Sequence, residues 1–69
     1  MLNRAKEIGE ANADAAFDFR SDYTSLENAI DSFFWNCQDT LIEEGILDDD
    51  TLHEAVTAFN NRIAVLKAS

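Results

Sequence analysis

The amino-acid sequence predicts an all-α fold of three helices built on an antiparallel helical hairpin, with room for completion by dimerisation. Three observations carry this expectation. Large apolar residues recur every three or four positions through two long segments, each segment is bracketed by start and stop signals for a helix, and the chain of 69 residues contains no proline. The whole chain, residues 1–69, reads as one small helical domain with helices at about 3–20, 25–44 and 49–67.

In the first segment, Leu2, Ala5, Ile8, Ala11, Ala15 and Phe19 make a helical stripe of mostly small side chains, which allows a close helix approach. Gly9 interrupts it at about 1 kcal/mol relative to alanine in a helix interior. Either the helix starts near Glu10 or something packs tightly against that backbone; one continuous helix with a weak first half is preferred. Phe17, Asp18 and Phe19 also alternate as a strand would, but the chain offers no partner strand.

The stretch from Leu26 to Gly45 holds the largest apolar side chains. Leu26, Ile30, Phe33, Cys37 and Leu41 stack on one side of a helix, and Phe34 widens that face. Trp35 and Ile42 fall roughly opposite, so this helix either has a second neighbour or shows an apolar pair to a partner. Thr24 with Glu27 fits a capping box and starts the helix at about Ser25. Gly45 fits a left-handed closing residue, with Ile46 folding back onto Leu41 in the Schellman arrangement.

The third segment opens in LDDDTLHEAV. With Asp48 as N-cap, Leu47 and Leu52 occupy hydrophobic-staple positions and Asp49 and Asp50 meet the positive end of the helix dipole. Thr51 with Glu54 is an alternative start. Leu52, Val56, Phe59, Ile63 and Leu66 then form an apolar seam ending near Lys67. The link from the second helix is a few residues, which turns the third back as a hairpin. Residues 25–67 are expected to be the stable unit, with the first helix packed across it.

A chain this short buries only about 60% of its unfolded surface, so a monomer is marginal. One cysteine excludes an internal disulfide, and one cysteine with one histidine cannot supply a structural zinc site. Association is the remedy left open. There is no stretch long and apolar enough for a signal peptide or membrane span, which makes a cytoplasmic location the default expectation.

Asp and Glu number 14 against 5 Lys and Arg, for a net charge of −9. That surface repels nucleic acid and anionic membrane and attracts basic proteins, including those with nucleic-acid-binding grooves. Glu7, Glu10, Asp14, Asp18 and Asp22 line one side of the first helix, and Glu27 and Asp31 extend the set. They read either as a solvated face or as a surface for a basic groove. Phe17, beside that stripe, and Trp35 with Ile42 are the candidate apolar contacts, to a partner or a second copy; the alternative is coverage within the chain, Trp35 by the first helix.

Chemistry is thinly signalled. Cys37 reads as a core residue, and His53 with Asp49, Asp50 and Glu54 only superficially resembles a metal or acid-base cluster. Asp48, Asp49 and Asp50 lack the glycine and distal glutamate of a calcium-binding EF-hand loop. No catalytic, cofactor or metal residues are expected, and an enzyme would rest on His53 and its neighbours alone. In size, helicity and charge the chain resembles the general type of phage- or plasmid-encoded anti-restriction and anti-CRISPR proteins, a likeness of type that covers no specific residues. It implies a small acidic inhibitor occluding a basic groove, with nucleic-acid mimicry as one route; the other expectation is a helical-hairpin adaptor or homodimerisation module whose acidity is incidental.

Overall fold

The computed structural model describes residues 2–69, and the described residues form three helices and no strand. Helix α1 spans Leu2–Asp18, α2 spans Leu26–Glu43 and α3 spans Asp49–Ala68, with a 3-10 turn at Arg20–Asp22 between the first two. The Phe17 to Phe19 alternation is therefore helix end and turn. None of these helices is long and apolar enough to cross a membrane.

Local chemistry sets the helix boundaries. Ser25, in extended backbone geometry, caps α2 by accepting from the Asn28 amide at 3.2 Å. The N-cap thus falls one residue later than the expected Thr24 and Glu27 box; the Thr24 hydroxyl accepts from the Asn28 side-chain amide instead. At the other end Gly45 has φ of +79°. The Ile46 amide donates to the Leu41 carbonyl at 2.9 Å and the Gly45 amide to Ile42 at 3.0 Å, the paired bonds of a Schellman motif. Ile46 is buried beside Leu41.

Asp48 caps α3, its carboxylate accepting from the Thr51 amide at 2.9 Å and from the Thr51 hydroxyl at 2.5 Å. Thr51 is consequently inside the helix, in its first turn. Leu47, expected to staple onto Leu52, is instead 66% exposed, because the chain leaves the Schellman turn with Ile46 pointing inward and its neighbour outward.

The packing is organised around α1. It lies against both other helices, most extensively α3, while α2 and α3 touch each other little. The seam expected directly between the second and third helices is thus largely filled by the first. Three ion pairs show the relative directions: Arg4 near the start of α1 meets Glu44 at the end of α2, Asp14 meets Arg62, and Lys67 at the end of α3 meets Glu27 at the start of α2. Helices α1 and α3 run the same way and α2 runs against them.

Small residues make the tightest contact. A β-carbon on Gly9 would lie 2.3 Å from the Ala55 carbonyl oxygen and 3.1 Å from the Phe59 nitrogen, so α3 backbone rests directly on the bare glycine. Ala5, Ala13, Ala16, Ala55 and Ala58 are buried alongside. The first helix is thus continuous through Gly9 and has a close neighbour there.

Its buried face is rotated from the expected stripe. Ala5 and Ile8 are buried, but the face continues through Gly9, Asn12, Ala13 and Ala16, with Ala11 exposed and Ala15 half-buried. Leu2 of that stripe has its side chain outside the described residues. Phe19 lies beyond the helix end, 52% exposed, and stacks on Phe33 with ring centroids 6.3 Å apart.

The core has two clusters. Ala5, Ile8, Cys37, Leu41, Ile46 and Ala55 form one, with Leu52 against it. Ala13, Ala16, Phe59 and Ile63 form the other, covered by Phe17, Ile30, Phe33 and Phe34. Between them on α1 sits Asn12, 92% buried, whose side-chain amide donates to Ile8 O at 2.9 Å and whose oxygen accepts from Asn36 at 2.7 Å. A buried amide satisfied across the helix interface favours this register of α1 on α2, because a slip would leave it unpaired.

Candidate protein-interaction surface

The expected acidic set does not behave as one stripe. Asp14 is engaged by Arg62 of α3, the Asp14 Oδ1 accepting from Nε at 2.7 Å. That hydrogen bond, the charge of Asp14 and, more weakly, the charge of Glu10 raise the Arg62 guanidinium further above its ordinary value. Glu7 lies 3.6 Å from Arg4, and Glu27 accepts from Lys67 at 3.3 Å. Like-charge crowding on α1 is thus relieved by Arg62 of α3 at Asp14 and by Arg4 of α1 itself at Glu7, whereas Lys6 and Arg20 form no ion pair among the described residues. Arg20 instead donates to the Phe17 carbonyl at 2.5 Å.

Arg4 makes the strongest pairing, donating from Nε and Nη2 to the two Glu44 oxygens at 2.9 and 2.6 Å. This two-point bond holds the Glu44 carboxyl below the usual carboxylate range. Asp48 is also lowered, by the Thr51 hydroxyl first and the Thr51 amide second. No internal spacing within a helix could have signalled Arg4 with Glu44 or Asp14 with Arg62, which are 40 and 48 residues apart.

Only four of the 14 acidic side chains, Glu7, Asp14, Glu27 and Glu44, form ion pairs among the described residues. Asp18, Asp22 and Asp31 of the expected set are exposed and form no ion pair among the described residues, and Glu10 is half-buried near Arg62. Asp39, Glu43, Asp49 and Asp50 add exposed carboxylates elsewhere on the surface.

Of the apolar candidates, Phe17 is half-buried on the second core cluster. Trp35 and Ile42 are 63% and 55% exposed. The first helix does not cover them, because its small-residue face is taken up by α3. On α2 the buried residues Ala29, Cys37 and Leu41 occupy one side, and Asp31, Trp35, Asp39 and Ile42 fall within a wedge of about 80° on the other, at about 100° per residue. Phe34 braces Trp35 edge-on at 5.6 Å and is itself edge-on to Phe59 at 5.9 Å, tying the exposed indole to the core.

Cys37 is 1% exposed, and burial pushes its thiol pKa up. His53 is exposed, with Thr57 Oγ1 at 3.5 Å. Among the described residues no three His, Cys, Asp or Glu side chains are grouped to hold a metal ion, and no pocket is found. The candidate surface is therefore convex: unpaired carboxylates around one exposed aromatic and one exposed aliphatic side chain. No protein-family model, curated protein or solved structure matches the chain.

Proposed function

We propose that this protein is a small acidic inhibitor that binds a basic protein, of the nucleic-acid-binding kind, and occludes its groove. The observation that carries the reading is the excess of unpaired carboxylates around an exposed tryptophan. Internal ion pairs leave most of the negative charge facing outward, where it meets a cationic surface at little desolvation cost and with steered association.

Shape and charge density favour occlusion over point-by-point mimicry. The molecule is 32 Å in its longest dimension, close to one turn of duplex DNA, over which the duplex carries roughly 19 charges. This chain carries a net −9. It can fill the length of a groove with about half the charge, so bulk and the apolar contacts must supply part of the affinity.

The test is capture of partners from the native host or its phage-infected form, followed by competition. A nucleic-acid-handling protein is expected whose binding to this chain weakens steeply with salt and is mutually exclusive with nucleic acid. Simultaneous binding of the chain and nucleic acid, or affinity indifferent to salt, overturns the reading.

The exposure of Trp35 and Ile42 on one wedge supports a second reading, a homodimerisation or adaptor module with α2 at the subunit contact. Sedimentation then finds a dimer that Trp35→Ala dissociates, and a strict monomer at high concentration removes it.

A further inference from the structure

We infer that the outer face of α2 is a docking site for an arginine-bearing cationic segment of the partner, with Trp35 as the stacking platform and Asp31 and Asp39 as carboxylate clamps on either side. This rests on the reading above that the partner is basic, and names where and through which chemistry it is held.

The sequence places an aspartate one helical turn before Trp35 and another one turn after. Four residues of helix rise about 6 Å, so the two carboxylates straddle the indole along the helix axis. All three side chains are exposed, and neither aspartate forms an ion pair among the described residues. Two acids elsewhere are held by the chain's own arginines, Glu44 by Arg4 and Asp14 by Arg62. Here the carboxylates flank an exposed indole and are open to a cation from another molecule.

A guanidinium suits this arrangement better than an ammonium. It is planar and weakly hydrated, stacks on an indole face and presents further N–H groups in its own plane to carboxylates. Alternate side chains of an extended segment repeat every 6.6–6.8 Å or so, close to the about 6 Å step along α2, so successive arginines can reach Asp31, Trp35 and Asp39 in turn. Ile42, farther along the wedge, offers apolar cover to the stem of a long cationic side chain. Phe34 contributes by holding Trp35 against the core, so that less side-chain freedom is lost on binding.

The test uses the full chain with capped hexa-arginine and hexa-lysine peptides at low, matched ionic strength, read by calorimetry and by backbone amide NMR shifts. Hexa-arginine is expected to bind about fivefold or more tighter than hexa-lysine, with shifts centred on α2, and Trp35→Ala to weaken it about fivefold. Asp31→Asn with Asp39→Asn is expected to weaken it more than the equal-charge control Asp49→Asn with Asp50→Asn on α3; circular dichroism checks that each variant is folded. Equal weakening by the two double variants, or no arginine preference, overturns the docking site while leaving a basic partner in place. Failure of both peptides to bind overturns the basic-partner reading itself. A dimer dissociated by Trp35→Ala assigns the face to a second copy and overturns the inference.

Discussion

The two long sides of the structure solve opposite problems. Where α1 meets α3 the residues from α1 are mostly glycine and alanine, and backbone lies on backbone at Gly9 and Ala55. Along α2 the large side chains include phenylalanine, tryptophan and leucine, and surplus apolar surface faces outward at Trp35 and Ile42. A contact made of small residues is closed, since nothing projects beyond it and any added atom has no place to go. One made of large residues can be sealed on one side and sticky on the other. Close packing is thus concentrated at the first and exposed apolar surface at the second.

Four substitutions probe that division, beginning with the largest effect. Phe59→Ala removes the largest fully buried side chain, where α1, Phe34 and the small-residue contact converge, and is expected to cost about 3–5 kcal/mol in urea unfolding. For a chain this small that leaves little folded protein; retention of a cooperative transition near the wild-type midpoint contradicts the placement of Phe59.

Gly9→Ala is next and sets two effects against each other. Alanine gains about 1 kcal/mol of helix propensity, whereas overpacking costs about 1–3 kcal/mol. With 2.3 Å to a backbone oxygen that cannot swing aside, overpacking wins, and net destabilisation is expected. A stabilised variant would show that α1 and α3 are not in close contact.

The Arg4 and Glu44 pair lies on the α1 to α2 side. Glu44 has a lowered folded pKa, so its contribution is present above the unfolded value and is lost as pH falls through the folded one. The stability difference between wild type and Glu44→Gln should therefore be largest near neutrality and shrink as pH falls through and below the ordinary carboxylate range. A difference that grows on acidification reverses the sign and removes the pair as the cause.

Trp35→Ala is expected to do least to folding. As an exposed change it should shift stability by no more than about 0.5 kcal/mol, and its effect belongs in the binding measurements. Severe unfolding would mean that the indole is a structural prop.

What the sequence made legible follows the same division. Helix ends were readable because their chemistry is local: Gly45 and Ile46 close α2 in the expected Schellman bonds, and Asp48 starts α3 as one of two weighed positions. The Ser25 cap missed by one residue because adjacent hydroxyls compete for the role. Helix faces were less readable. Alanine and glycine carry almost no hydrophobic signal, so Ala13, Ala16, Ala55 and Ala58 did not stand out beside Leu52 and Val56, which are only partly buried. That weighting placed the main contact between α2 and α3 and rotated the buried face of α1. At the candidate surface, Trp35 and Ile42 were legible as residues off the main seam; that Asp14 is tied to Arg62 was not, because nothing local links positions 48 residues apart.

Trp35 and Cys37, the chain's single tryptophan and single cysteine, lie two residues apart on opposite sides of one helix. Together they make a pair of intrinsic reporters with complementary blind spots. The indole is already solvated in the folded chain, so its emission is set to report anything that covers it rather than melting. The thiol is sealed inside and its alkylation must wait for the helices to separate, so the rate at which it is labelled measures how often the core opens. One chain can thus register coverage of the outer α2 face and opening of the core in separate channels.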